Sequence, residues 1–219
     1  MFSRHIARAA IKPLYNRFLI RPSEVVRAPT SLALRFARVN YATDARDVPE
    51  TLASLDRAQK HIEKGTDLLS KGMIAQAMDA YHASVQTHPT STGYYNMGVC
   101  YFQLGRHDDA IRSLHRSLEL SPNQVDAHAN LGTAYAVQGK LNQAMEHCVK
   151  AVELSPRDGE LRYNLACVLD ARGELERAVE NYERAVEYGC DRAERNLRNA
   201  RAKLWTKQQK VVEKTEKDS

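Results

Sequence analysis

A period of about 34 residues runs through most of this chain and constrains its fold more than any single residue does. The stretch Val125 to Asp158 serves as the reference unit, with Leu131-Gly132, Tyr135, Gly139, Ala144, Ala151 and Pro156 as its markers. One unit towards the N-terminus, these positions hold Met97-Gly98, Tyr101, Gly105, Ala110, Ser117 and Pro122. A unit further back they hold Lys64-Gly65, Leu68, Gly72, Ala77, Ser84 and Pro89. Towards the C-terminus they become Leu165-Ala166, Leu169, Gly173, Ala178, Ala185 and Cys190. The glycines at 72, 105, 139 and 173 advance by 33, 34 and 34 residues. A unit repeated at fixed spacing is one supersecondary element that must stack on its neighbours to bury its apolar face.

Each unit reads as a helical hairpin. In Val125 to Gln138, the residues Leu131, Ala134, Tyr135 and Gln138 fall at i, i+3, i+4 and i+7, and only the last is polar. In Leu141 to Leu154, the residues Leu141, Ala144, Met145, Cys148, Ala151 and Val152 share one face. Gly139 separates the two runs and permits the positive φ that ends a helix. Ser155-Pro156 stops the second run, because proline cannot continue the hydrogen-bond ladder. Small residues at Gly132 and Ala144 let the two helices approach closely. This period and these residues resemble the tetratricopeptide repeat family from about Ala58 to Arg192. The resemblance implies an all-α, right-handed α-solenoid of four helical hairpins plus a C-terminal capping helix. Its repeats fall at 58–90, 91–124, 125–158 and 159–192. The tryptophan often found early in the motif is replaced by His61, Tyr94, His128 and Arg162.

The ends differ in character from the repeats. Residues 1–41 hold eight basic side chains against Glu24 alone, a charge of +7, which leaves −2 for everything after Tyr41. Ile6, Ala10, Leu14 and Phe18 form a stripe with Arg4, Arg8 and Arg17 off it. That composition is expected of a mitochondrial transit peptide, and the matrix is the expected compartment. Residues 42–57 read as a linker and helix lead-in, with Asp47-Val48-Pro49-Glu50 as a helix start. Leu197, Ala200 and Leu204 make a stripe in a capping helix over 193–212, beyond which 213–219 reads as a disordered tail.

Several function classes are disfavoured. No HExxH, glycine-rich phosphate loop or GxSxG elbow occurs, so no catalytic residue and no cofactor is assigned, and an enzyme is not expected. His82 and His115 share a slot in successive repeats, but no carboxylate or third histidine recurs with them, so no metal site is assigned. The four cysteines form no CxxC pair and are expected to be reduced and buried. No apolar run is long enough to cross a bilayer.

The remaining signal is a recurring asparagine. Asn96, Asn130 and Asn164 stand two residues before the Gly98, Gly132 and Ala166 positions, in steps of 34. By the resemblance, this slot lines the concave face of a tetratricopeptide solenoid, with Tyr95, Val99 and Phe102 in repeat two, Ala129, Thr133 and Ala136 in repeat three, and Tyr163, Cys167 and Asp170 in repeat four. A carboxamide both donates and accepts, so a row of them matches an extended peptide backbone or a partner helix. Glu63 takes this slot in repeat one. The clamp that family members use on acidic chaperone C-termini is not kept, since Ile62, Thr66, Asp126 and Asn130 replace its cations and an asparagine. The expected function is therefore a protein-interaction adaptor, assembly factor or co-chaperone in mitochondria. Two alternatives stand beside it. One is an RNA- or ribosome-associated factor using Arg195, Arg198, Lys203 and Lys207 as anion contacts. The other is a non-catalytic subunit of a mitochondrial enzyme complex.

Overall fold

The computed structural model describes residues 48–217, and the transit-peptide reading of 1–41 lies outside them. The described residues form helices joined by short turns and divide into two compact units, with the boundary in the chain between Pro122 and Asn123. Residues 48–122 contain α1 (Val48–Ser70), α2 (Ile74–Thr87), α3 (Ser91–Gln103) and α4 (His107–Leu120). Residues 123–217 contain α5 (Val125–Val137), α6 (Leu141–Leu154), α7 (Gly159–Arg172), α8 (Leu175–Glu187) and α9 (Ala193–Lys217). The all-α hairpin architecture expected from the period is thus present, with a C-terminal helix after the last hairpin.

Every hairpin turns in the same way. Gly72, Gly105, Gly139 and Gly173 have φ between 73° and 79°, where a side chain would be strained. In each case the glycine N–H and the next N–H reach back into the preceding helix. Gly139 donates to the Ala136 carbonyl and Lys140 to that of Tyr135, both at 2.9 Å, which satisfies carbonyls the helix end leaves open. The same pair of bonds recurs at Gly189 (φ 84°), where Cys190 donates to the Ala185 carbonyl at 2.8 Å. Repeat four therefore ends on a glycine turn where repeats two and three end on Ser-Pro.

The close approach of paired helices explains the second small-residue series. In residues 48–122, a Cβ on Gly65 would lie 2.6 Å from the Tyr81 ring, and one on Gly98 would lie 2.8 Å from Leu114. Tyr81 and Leu114 are fully buried. Ile62, Ala77, Tyr81, Val85, Met97 and Cys100 form one apolar cluster that joins α1, α2 and α3. In residues 123–217, a Cβ on Gly132 would meet the Cys148 sulfur at 2.5 Å. The same offset in repeat four gives Ala166 and Tyr182, both fully buried.

Among the described residues, the first and last helices are longer than the helices of repeats two to four. α1 has 23 residues, where the helices of repeats two to four have 13 or 14. The expected end of the capping helix at 212 needs correction, because α9 continues to Lys217. No glycine or proline follows Gly189, and lysine, glutamate and glutamine are good helix formers, so nothing stops the helix at Val212. Ala193 and Ala200 are buried, Leu197 and Leu204 are half-buried, and Trp205 is 64% exposed.

Candidate functional site

Each asparagine of the recurring slot is buried. In residues 48–122, Asn96 is 3% exposed, and its Nδ2 has no hydrogen-bond partner. Val99 and Phe102 are buried beside it in sequence, and Tyr95 is half-buried. In residues 123–217, Asn130 is 8% and Asn164 only 2% exposed. Both amide atoms of Asn164 lack a partner. A buried polar group left unsatisfied costs about 1–3 kcal/mol. Such a group in a native fold therefore calls for an explanation, and a ligand that completes its bonds is one.

The other expected face residues of repeats three and four are engaged internally. Thr133 is buried and donates its hydroxyl to the Ala129 carbonyl at 3.1 Å. Tyr163 and Cys167, expected to line an open face, instead sit in the packing of α7 against α8 and α9. The Tyr163 hydroxyl accepts from Asn196 Nδ2 at 3.1 Å, and its ring lies 4.3 Å below the Arg192 guanidinium. The Cys167 sulfur accepts from the Tyr182 hydroxyl at 3.4 Å. Burial pushes the Cys167 thiol up to about 11 and, in the other unit, that of Cys100 up to about 12. All four cysteines are reduced and buried, which makes them packing residues.

The cations of the last helix are also placed differently from the expectation. Lys203 Nζ contacts both oxygens of Asp170, at 2.7 and 2.9 Å. Lys207 reaches Glu176 at 3.3 Å, and Arg198 reaches Glu194 at 3.7 Å. Arg195 is exposed. Three of the four proposed anion contacts are therefore matched with carboxylates, two of them on the preceding hairpin. That arrangement docks the helix and leaves little net positive charge to offer a phosphate backbone.

One contact escaped the sequence reading. His128 and His147 face each other, Nδ1 to Nδ1, at 3.0 Å, and the Tyr135 ring stacks on His147 at 5.6 Å. The two are 19 residues apart, and Arg162 and Asn181 fill the same slot in repeat four at 3.2 Å. The i, i+19 offset was a readable signal of a helix-to-helix pair. Among the described residues, no group of three or more His, Cys, Asp or Glu side chains is placed to hold a metal, and no helix is long and apolar enough to cross a membrane.

Comparison with known proteins agrees with the fold. The tetratricopeptide repeat profile matches residues 91–124 and 125–158, and a second profile of the same description matches 147–180. A tetratricopeptide repeat and J domain-containing co-chaperone, DNJ1, of Cryptococcus neoformans is 29% identical over 76 residues. That alignment covers 34% of this chain and 15% of the relative, so the chain spans a small part of the relative's length. Among solved structures, YrrB, described as having an unusual peptide-binding site, superposes with a TM-score of 0.56 at 22% identity, over 74% of this chain and 78% of that one. The first repeat domain of Spaghetti (RPAP3), solved with the HSP90 peptide SRMEEVD, gives 0.51 at 25% identity, over 52% and 93%. Period, turn geometry and these matches agree that residues 91–180 are tetratricopeptide repeats.

Proposed function

We propose that this protein is a non-catalytic interaction adaptor whose recurring asparagines, Asn96 in residues 48–122 and Asn130 and Asn164 in residues 123–217, each bond peptide backbone of a partner. The observation that carries this reading is Asn164, buried at 2% exposure with neither amide atom partnered. Its counterpart in the other unit, Asn96, also has an unpartnered Nδ2. A peptide group offers one donor and one acceptor, which is what the Asn164 amide lacks, and its acceptor is what Asn96 Nδ2 lacks. Similarity to a co-chaperone and to a peptide-bound repeat domain favours the same class of partner. Net hydrogen bonds contribute about 0.5–1.5 kcal/mol each, so one bond each to Asn130 and Asn164 supplies roughly 1–3 kcal/mol. Micromolar affinity needs about 8 kcal/mol, and the remainder must come from side chains of the ligand. The test is binding of the purified chain to an array of overlapping peptides, repeated with Asn96, Asn130 and Asn164 replaced by alanine. Loss of the bound spots is the expected result, and an unchanged pattern removes the asparagines from the reading.

The basic composition of 1–41 supports a mitochondrial address, with the matrix as compartment and assembly or chaperone assistance as the role. A reporter carrying residues 1–45 that stays in the cytosol refutes the address and leaves the adaptor reading standing.

A further inference from the structure

The outer side of α9 carries a stripe that repeat four does not use. Arg198, Ala202, Trp205, Gln209, Val212 and Glu216 are spaced four and three residues apart in alternation, which keeps them on one face of a helix. All six are exposed, while Ala193, Leu197, Ala200 and Leu204, which dock the helix, lie on the other side. From Trp205 to Glu216 every described side chain is exposed, a helical length of roughly 18 Å. A helical stretch of about a dozen residues is marginal in water without a packed face. The two ends of the stripe differ in sign, with Arg198 at one and Glu216 at the other. Glu216 forms no ion pair with the described residues. Arg198 has one, with Glu194 on its own helix at 3.7 Å, and both side chains are more than half exposed. An exposed pair at that distance contributes little and leaves guanidinium donors open.

We infer that this stripe pairs with the same stripe of a second copy, the two α9 helices running antiparallel, so that the protein self-associates as a two-fold symmetric dimer. One register sets Arg198 opposite Glu216 of the second copy, Ala202 opposite Val212 and Trp205 opposite Gln209. Two-fold symmetry makes each of these pairs occur twice. A parallel pairing would instead set Arg198 against Arg198 and Glu216 against Glu216, like charge on like. The charges therefore select the direction. Adhesion comes from Trp205 and Val212, and the indole, laid on the aliphatic stem of Gln209, removes the largest apolar surface of the seam from water. The seam shares no residue with the asparagine slots, so it stands independently of the adaptor reading.

The test is sedimentation equilibrium of the full chain, from low micromolar to the highest soluble concentration. The weight-average mass is expected to rise from that of one chain towards that of two. Trp205→Ala should hold it at one chain. Arg198→Glu and Glu216→Arg should each weaken dimerisation by about tenfold or more, because each sets like charges opposite one another. An equimolar mixture of those two variants should dimerise again, since every charge then meets its opposite across the seam. All three positions are exposed, so thermal melts of the variants should match the parent's. A dimer that keeps its affinity in both charge variants, or in Trp205→Ala, is built elsewhere and overturns the inference. A mixture that stays at the mass of one chain overturns it too. A parent chain that remains monomeric throughout leaves the stripe to a partner of another kind, and the inference falls.

Discussion

Residues 48–122 and 123–217 repeat the same hairpin, yet they spend their charges differently. Among the described residues of the first unit, ion pairs join residues three or four apart: Asp56 with Lys60, Asp67 with Lys71, Asp109 with Arg106 and Arg112, Arg116 with Glu119. They decorate single helices or turns, and the unit is joined across α1, α2 and α3 by the cluster around Tyr81. In the second unit, Arg192, Arg201, Lys203 and Lys207 reach carboxylates at 160, 183, 170 and 176, on other elements. The last helix has a thin apolar stripe, built on Ala193 and Ala200, and its charges make up part of the adhesion that leucines would otherwise provide. The same repeat can thus be closed by apolar burial or by tertiary ion pairs, and only the second closure should respond to salt and to competing cations.

The largest expected effect tests the apolar side of this contrast. Tyr81→Ala empties the centre of the first unit's cluster, where the ring is fully buried against Gly65. Truncating a buried aromatic costs about 3–5 kcal/mol. Urea unfolding of the variant should show that loss and little dependence on ionic strength. A loss below 1 kcal/mol on that scale would mean that the cluster does not hold the first unit together.

The next effect belongs to the second unit. A Cβ on Gly159 would stand 2.8 Å from the carbonyl oxygens of Ala185 and Tyr188, backbone atoms that cannot rotate aside. Gly159→Ala should therefore destabilise by about 1–3 kcal/mol, as overpacking does. A neutral result would show that the end of α8 yields, and that the glycine turn at 189 is softer than the others.

These two sites also show what the sequence made legible. The period, the hairpins and the glycine slots at 65, 98 and 132 could be read because each repeat solves the same packing problem with the same residues. Gly159 could not, since it opens a helix at a position held by Ser91 and Val125 in the two preceding repeats. Its need for close approach arises from the α8 terminus, whose glycine ending departs from the Ser-Pro pattern. Lys203 and Lys207 of α9 looked like free anion contacts because their partners lie 33 and 31 residues away, and mixed charge carries no mark of its pairing. Tyr163 and Cys167 matched face positions of the family, and only the path of α9 over repeat four shows that they are taken up by Asn196 and Tyr182.

Gly139→Ala comes third in size and should act alike in any repeat. The residue sits at φ 75° with nothing within 4 Å of an added Cβ, so the cost is conformational alone. A left-handed backbone on an alanine costs about 1–2 kcal/mol. Gly72→Ala in the first unit should give the same value, because Gly72 has the same φ and the same open surroundings. A marked difference between the two, measured by thermal melts, would mean that the turns are not equivalent and that the units differ in more than their use of charge.

The smallest effect is the sharpest test of the contrast itself. Lys207 and Glu176 are both about half exposed and 3.3 Å apart. A pair of that kind contributes about 0.2–1 kcal/mol at low salt. Lys207→Ala should lower the melting temperature of the chain slightly in dilute buffer. The difference from the parent should vanish near about 1 M salt, where the screening length falls to roughly 3 Å. Lys71→Ala in the first unit removes a pair confined to one helix end, and should give an equal or smaller shift. If the Lys207 loss persists undiminished in high salt, the aliphatic stem of the side chain and not its charge is what matters. The last helix would then be held by apolar contact after all, as the first unit is.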